Sequence, residues 1–117
     1  MQRRYRLSRS RDFDTVYRHG RSVSTRYLTL HWFAREDDGA DTVPRLGLAV
    51  PKSVGTAVVR NRVKRQLREA WGNVVGDVPP ACDYVLVARP GLPEAATARD
   101  GAWLAEQVRD AVGRMPS

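Results

Sequence analysis

A chain of 117 residues, 42% of them apolar, has room for one domain whose core buries about two-thirds of the extended chain's surface. Its net charge of +7 points to an anionic partner. Neither a membrane span nor the apolar run of a signal peptide after MQRRYRLSRS is present, and Cys82, the only cysteine, excludes an internal disulfide and a cysteine-based metal site. A reduced, cytoplasmic setting without a membrane partner is therefore expected.

The charge is unevenly spread. Residues 1–68 hold sixteen cations against six acids, whereas residues 69–117 hold four against seven, so the partner meets the first two-thirds. Eighteen of the twenty cations are Arg, whose planar fork suits phosphate and stacks on bases, although a genome rich in G and C would also raise that count.

Residues 1–9 form an Arg-rich arm with Arg3, Arg4, Arg6 and Arg9, either an untidy terminus or a segment mobile until it meets its partner. A first helix is expected from Ser10 as N-cap, with Asp12 in its first turn, to a stop at Gly20. Phe13, Val16 and Tyr17 share one face of it and, on pattern alone, read as core rather than base-stacking side chains. Residues 22–33 read as one strand, with Leu28, Leu30 and Trp32 on one side and Tyr27, Thr29, His31 and Phe33 on the other. EDDGADT is a loop, and residues 45–50 return as a strand closed by Pro51.

The most distinctive stretch is VPKSVGTAVVRNRVKRQLREAW at residues 50–71, in which a loop between Lys52 and Val59, with Gly55 at a turn, leads into a basic helix. At about 100° per residue, Val59, Val63, Leu67, Ala70 and Trp71 fall on one arc, and Arg60, Arg62, Lys64, Arg65 and Arg68 take most of the rest, with Asn61 among them. Ordinary solvated faces mix Glu with Lys at spacing four. Here Arg60, Lys64 and Arg68 repel one another, which fits a footprint for a polyphosphate better than a bare surface. Gly72, Gly76 and the Pro79-Pro80 pair form a connection, residues 83–89 a strand buried on both faces, residues 90–101 a loop, and residues 100–112 a last helix.

The order describes a small single-domain α+β sandwich, one sheet with helices against it. His19 and His31 lie in different elements, Asp12 and Asp14 flank Phe13 and so cannot share its face, and no nucleophile set, phosphate loop or zinc spacing occurs. The chain reads as a binder of RNA or DNA with no catalytic or metal constellation of its own.

The run GTAVVRNRVKRQLR after VPKSV closely resembles the signature of the bacterial ribonuclease P protein subunit, and the resemblance extends to RSRDFDTVYRHGRSVSTRYLTL and to DYVLVARPG, in the family's order. It implies a protein cofactor of a catalytic RNA that, with its bound Mg²⁺, removes the 5′ leader of precursor tRNA; the chain itself would hold no cofactor. By the same resemblance Arg60, Arg62, Lys64, Arg65 and Arg68 would contact the RNA subunit. Phe13, Tyr17, His31, Lys52 and Asn61 would line a cleft for the leader, with His31 standing where relatives often have Tyr. The implied fold is an α/β sandwich of about four mixed strands and three helices, in the order αβββαβα, with a left-handed crossover through the basic helix. A structural RNA binder of ribosomal type shares the charge and size but needs no aromatic cleft.

Overall fold

A computed structural model describes residues 6–35 and 43–116. The elements are α1 (Ser10–His19), β1 (Arg21–Ser24), β2 (Leu28–Ala34), β3 (Arg45–Ala49), α2 (Ala57–Gly72), β4 (Cys82–Ala88), α3 (Leu92–Thr97) and α4 (Gly101–Gly113), with single 3-10 turns at Lys52–Val54 and Val75–Asp77. They form the expected α+β sandwich. Its sheet runs β1-β2-β4-β3, antiparallel except for β3 beside β4, and α2 is the crossover between those two parallel neighbours.

Two local expectations are corrected. Residues 22–33 are a hairpin, broken where the Thr25 hydroxyl accepts from the amides of Tyr27 and Leu28 at 3.4 and 3.2 Å, while the Thr25 amide donates to the Leu28 carbonyl at 2.8 Å. A threonine side chain makes this turn, so no Gly, Pro or Asn announces it. Residues 90–101, expected as a loop, contain a fourth helix. It starts from Gly91 in the left-handed region, φ 96°, with Pro93 in its first turn, and at six residues it is too short to show a periodic stripe.

The helix boundaries follow from their caps. Thr56 accepts from the Val59 amide at 3.3 Å and opens α2 inside the expected loop, and Asp100 does the same for Trp103 at 3.1 Å in α4. Ser10, expected as a cap, is instead the first residue of α1, and the Arg9 carbonyl accepts from Asp12 and Phe13. The arm is not free at its inner end: Arg6 bridges Leu46, and buried Leu7 donates its amide to the Leu46 carbonyl at 2.9 Å along the edge of β3. Residues 1–5 and the EDDGADT loop lie outside the described residues.

Strand β4 is buried on both faces, as its apolar run predicts. Tyr84, Leu86 and Ala88 point into the larger core with Leu28, Leu30, Leu67, Trp71, Leu104 and Val108. Val85 points the other way, under Val16 and Leu7. The stripe expected on α2 is in place, with Val63, Leu67, Ala70 and Trp71 buried and Val59 packed at its margin. Burial holds the proton on the Tyr84 phenol, which donates to the Pro79 carbonyl at 2.6 Å.

The start of β4 carries the one buried charge cluster among the described residues. Asp83 accepts from Arg45 Nε and Nη2 at 2.8 and 2.7 Å and from Arg35 Nη1 at 2.8 Å; Arg35 also donates to the carbonyls of Cys82 and Val43. These bonds tie together both ends of the excursion between β2 and β3. Removing the carboxylate takes the shared counter-charge from two half-buried guanidiniums, so Asp83→Asn should lower unfolding free energy by about 2–4 kcal/mol. Denaturant titration checks it, and a loss below about 0.5 kcal/mol would show that the cluster does not hold the sheet.

Candidate nucleic-acid interface

The strand register lines up Ser22, His31, Val85 and Gly47 in one row across all four strands, on the face away from α2. Helix α1 lies over that row. The Phe13 ring lies close over Gly47, Val16 is fully buried in one cluster with Val85, and the Tyr17 ring meets His31 edge-on, centroids 4.9 Å apart at 79°. Phe13 and Tyr17 are themselves 6.3 Å apart. Their spacing of four on the helix thus becomes a continuous aromatic wall: the expectation of a pure core face holds for Val16, whereas Tyr17 is 41% exposed.

Two residues along each strand, about 7 Å away, the next row on the same face is Ala49, Val87, Thr29 and Ser24. These short side chains are half-buried or exposed, and the hydroxyls of Ser24 and Thr29 pair at 3.1 Å. They form a shallow floor beside the aromatic wall. Sequence reasoning missed this floor because its members are ordinary small strand residues, and only the register places them in a row.

Burial lowers the pKa of His31 below the usual histidine value, so the ring that faces Tyr17 is neutral at pH 7 and offers a flat surface and one N–H rather than a cation. Burial, and then the charge of Asp14, raise the Tyr17 phenol. Lys52 and Asn61 are exposed, Lys52 three residues beyond Ala49 and Asn61 on α2, and neither takes part in the ring contacts.

The cations of α2 do not form one uniform outward arc. Arg62 and Arg65 are exposed, but Arg60, Lys64 and Arg68 run half-buried along one flank of the apolar stripe. On the other flank Gln66, Glu69 and Asn73 line a crevice of about 320 Å³ with Arg99, Asp100 and Leu104 at the start of α4. The half-buried flank meets the N-terminal segment, because Arg6 is close enough to Arg68 to reinforce, after burial, the lowering of its pKa. Arg60 Nε is buried with no partner among the described residues. Such a crowded row of cations gains most when an anion neutralises it. Arg6 belongs to this group, and its place could not be read from a terminal arm.

Fold and site together define a small, basic, nucleic-acid-binding α+β protein with a cationic helix on one side of its sheet and an aromatic trough on the other. The chain belongs to the ribonuclease P protein family, whose Ribonuclease P description it matches over residues 1–115. It is 42% identical over 114 residues to the ribonuclease P protein component of Rhodococcus erythropolis, covering 94% of this chain and 87% of that protein. The Mycobacterium avium component is 36% identical over 115 residues, covering 97% and 93%. Among solved structures, the ribonuclease P protein of Thermotoga maritima superposes with a TM-score of 0.82 at 27% identity, over 96% of this chain and 98% of that one. That of Staphylococcus aureus gives 0.75 at 26%, over 93% of each.

The half-buried, neutral His31 yields a direct test. An NMR titration of its ring should give a midpoint below 6.5. Because the unfolded ring takes up its proton first, the contribution of His31 to stability is present above pH 6.5 and falls away as pH drops toward the folded value. A midpoint at or above 6.5 would place the ring in open solvent or beside an acid.

Proposed function

We propose that this chain is the protein component of a ribonuclease P ribonucleoprotein, binding the catalytic RNA through α2 and the single-stranded 5′ leader of precursor tRNA through the trough. The observation that carries the reading is the pairing of these two surfaces on one sheet: a guanidinium-rich helix for phosphates, and a wall of Phe13 and Tyr17 for unpaired bases. Arg62 and Arg65 reach out to the RNA subunit, and Arg60, Lys64 and Arg68 complete its phosphate contacts. In the trough, a base stacked on an aromatic ring contributes roughly 1–3 kcal/mol whatever its identity, which suits leaders of differing sequence. His31 closes the wall, and Lys52 before α2 and Asn61 in its first turns, both outside the trough, supply polar contacts to the leader backbone where it leaves the wall.

In this reading hydrolysis belongs to the RNA. Mg²⁺ bound by that RNA supplies the activated water, and the protein contributes affinity and alignment of the substrate tail. Cys82 is a free, buried thiol, which suits a reducing cytoplasm. No helix among the described residues is long and apolar enough to cross a membrane.

Reconstitution tests the proposal. Mixed with a ribonuclease P RNA and precursor tRNA at low Mg²⁺, the protein should stimulate leader removal, and alone it should cut nothing. Absence of stimulation would favour a structural RNA binder, and cleavage by the protein alone an autonomous nuclease. In the same system, replacing Arg62 and Arg65 together by Ala should weaken binding to the RNA subunit. It should also flatten the log–log salt dependence by about 0.7–0.9 for each phosphate that is no longer neutralised. An unchanged salt slope would remove these two residues from the RNA interface.

A further inference from the structure

The aromatic wall depends on a residue that touches no RNA: we infer that Gly47 is a positioning residue, whose missing side chain lets the Phe13 ring lie down on β3 and so sets the height at which the trough grips the leader. The inference rests on the leader reading above. A Cβ at Gly47 would stand 2.6 Å from Phe13 Cζ and 2.8 Å from Cε1, with Leu7 Cβ at 3.2 Å. Carbon atoms in contact sit about 3.5–4.0 Å apart, so one methyl would lift the ring by about 1 Å.

The ring has little freedom to absorb that lift elsewhere. One turn on, Val16 is fully buried over Val85, and at the end of α1 a Cβ on Gly20 would meet the Trp32 carbonyl, so the helix sits close against the sheet. Leu7 packs in the same cluster as the ring, held by the hydrogen bond its amide donates to the Leu46 carbonyl. The displaced ring therefore moves along the wall toward Tyr17, which is already in edge contact with His31. Gly47 lies inside β3 and has no left-handed backbone to excuse it, so space for Phe13 is what the position requires. Every other member of its row, Ser22, His31 and Val85, carries a side chain.

A double-mutant cycle in the reconstituted ribonucleoprotein tests this, with affinities measured for leader-bearing precursor tRNA and for mature tRNA. Phe13→Ala should weaken the leader-bearing substrate selectively. Gly47→Ala should weaken it by about fivefold, part of one stacked base, and leave mature tRNA unchanged. In the Phe13→Ala background the same change at Gly47 should cost less than about twofold. An undiminished effect in that background, or equal losses for both substrates, would overturn the inference and return Gly47 to plain packing. If Phe13→Ala itself fails to distinguish the substrates, the leader reading falls and takes the inference with it. Should Gly47→Ala fold poorly, thermal melts decide: the double variant, with room for the methyl, should recover stability relative to Gly47→Ala, and a failure to recover would count against the proposed seat for the ring.

Discussion

Strand β4 is hydrogen-bonded along both edges and covered on both faces, and its alternation of side chains holds the two halves of the interface in a fixed relation. Tyr84 and Leu86 face the core that carries α2, while Val85 faces α1. A slip of one residue in its pairing would exchange the two faces, sending Tyr84 under α1 and Val85 toward Trp71. The cluster of Asp83 with Arg35 and Arg45 resists that slip, because it fixes the register of β3 and of the end of β2 against the same strand. Where the cationic helix stands relative to the aromatic wall is thus decided in the middle of the sheet.

The price of the cationic surface is small beside what anchors it. Like charges at spacing four on α2 cost a few tenths of a kcal/mol per pair, whereas burying a side chain the size of Leu67 contributes roughly 1.5–3 kcal/mol. The helix therefore tolerates Arg60, Lys64 and Arg68 side by side, with Arg6 added at the edge of β3. An RNA backbone docked on this face, as proposed, would relieve that repulsion and gain bidentate contacts as well. The acidic segment of residues 69–117 keeps this attraction one-sided: its cations Arg109 and Arg114 pair with Asp77 and Asp110 on the surface of α4 and its neighbouring turn, away from the basic flank.

Much of this was legible in the residues themselves. The apolar stripe of α2, the doubly buried β4 and the span of α4 follow from periodicity and are found where that places them. The hairpin in residues 22–33 was not legible, because a single buried Thr25 makes the turn that Gly or Asn usually marks. Nor was α3, whose two turns hold no repeat. The interface was readable in type and incomplete in membership: Phe13 and Tyr17 share a helix face by spacing alone, but what they face depends on long-range register. Pattern gives Gly47, Ala49, Val87 and Thr29 their face of the sheet, yet not the neighbours that make one a seat and the others a floor. Arg6 was visible only as one cation of an Arg-rich arm, and its seat beside Arg68 was hidden for the same reason, since it is set by pairing with β3 and not by local sequence.

The central claim is that one scaffold separates two RNA contacts, the catalytic RNA on α2 and the leader in the trough. Site-specific crosslinking in the assembled ribonucleoprotein tests it most directly, with a photoreactive group placed in turn at Tyr17 and at Arg65. The account predicts crosslinks from position 17 to the precursor leader, absent with mature tRNA, and from position 65 to the catalytic RNA whether or not substrate is bound. Crosslinks from both positions to the same strand, or from position 17 to the catalytic RNA alone, would contradict it.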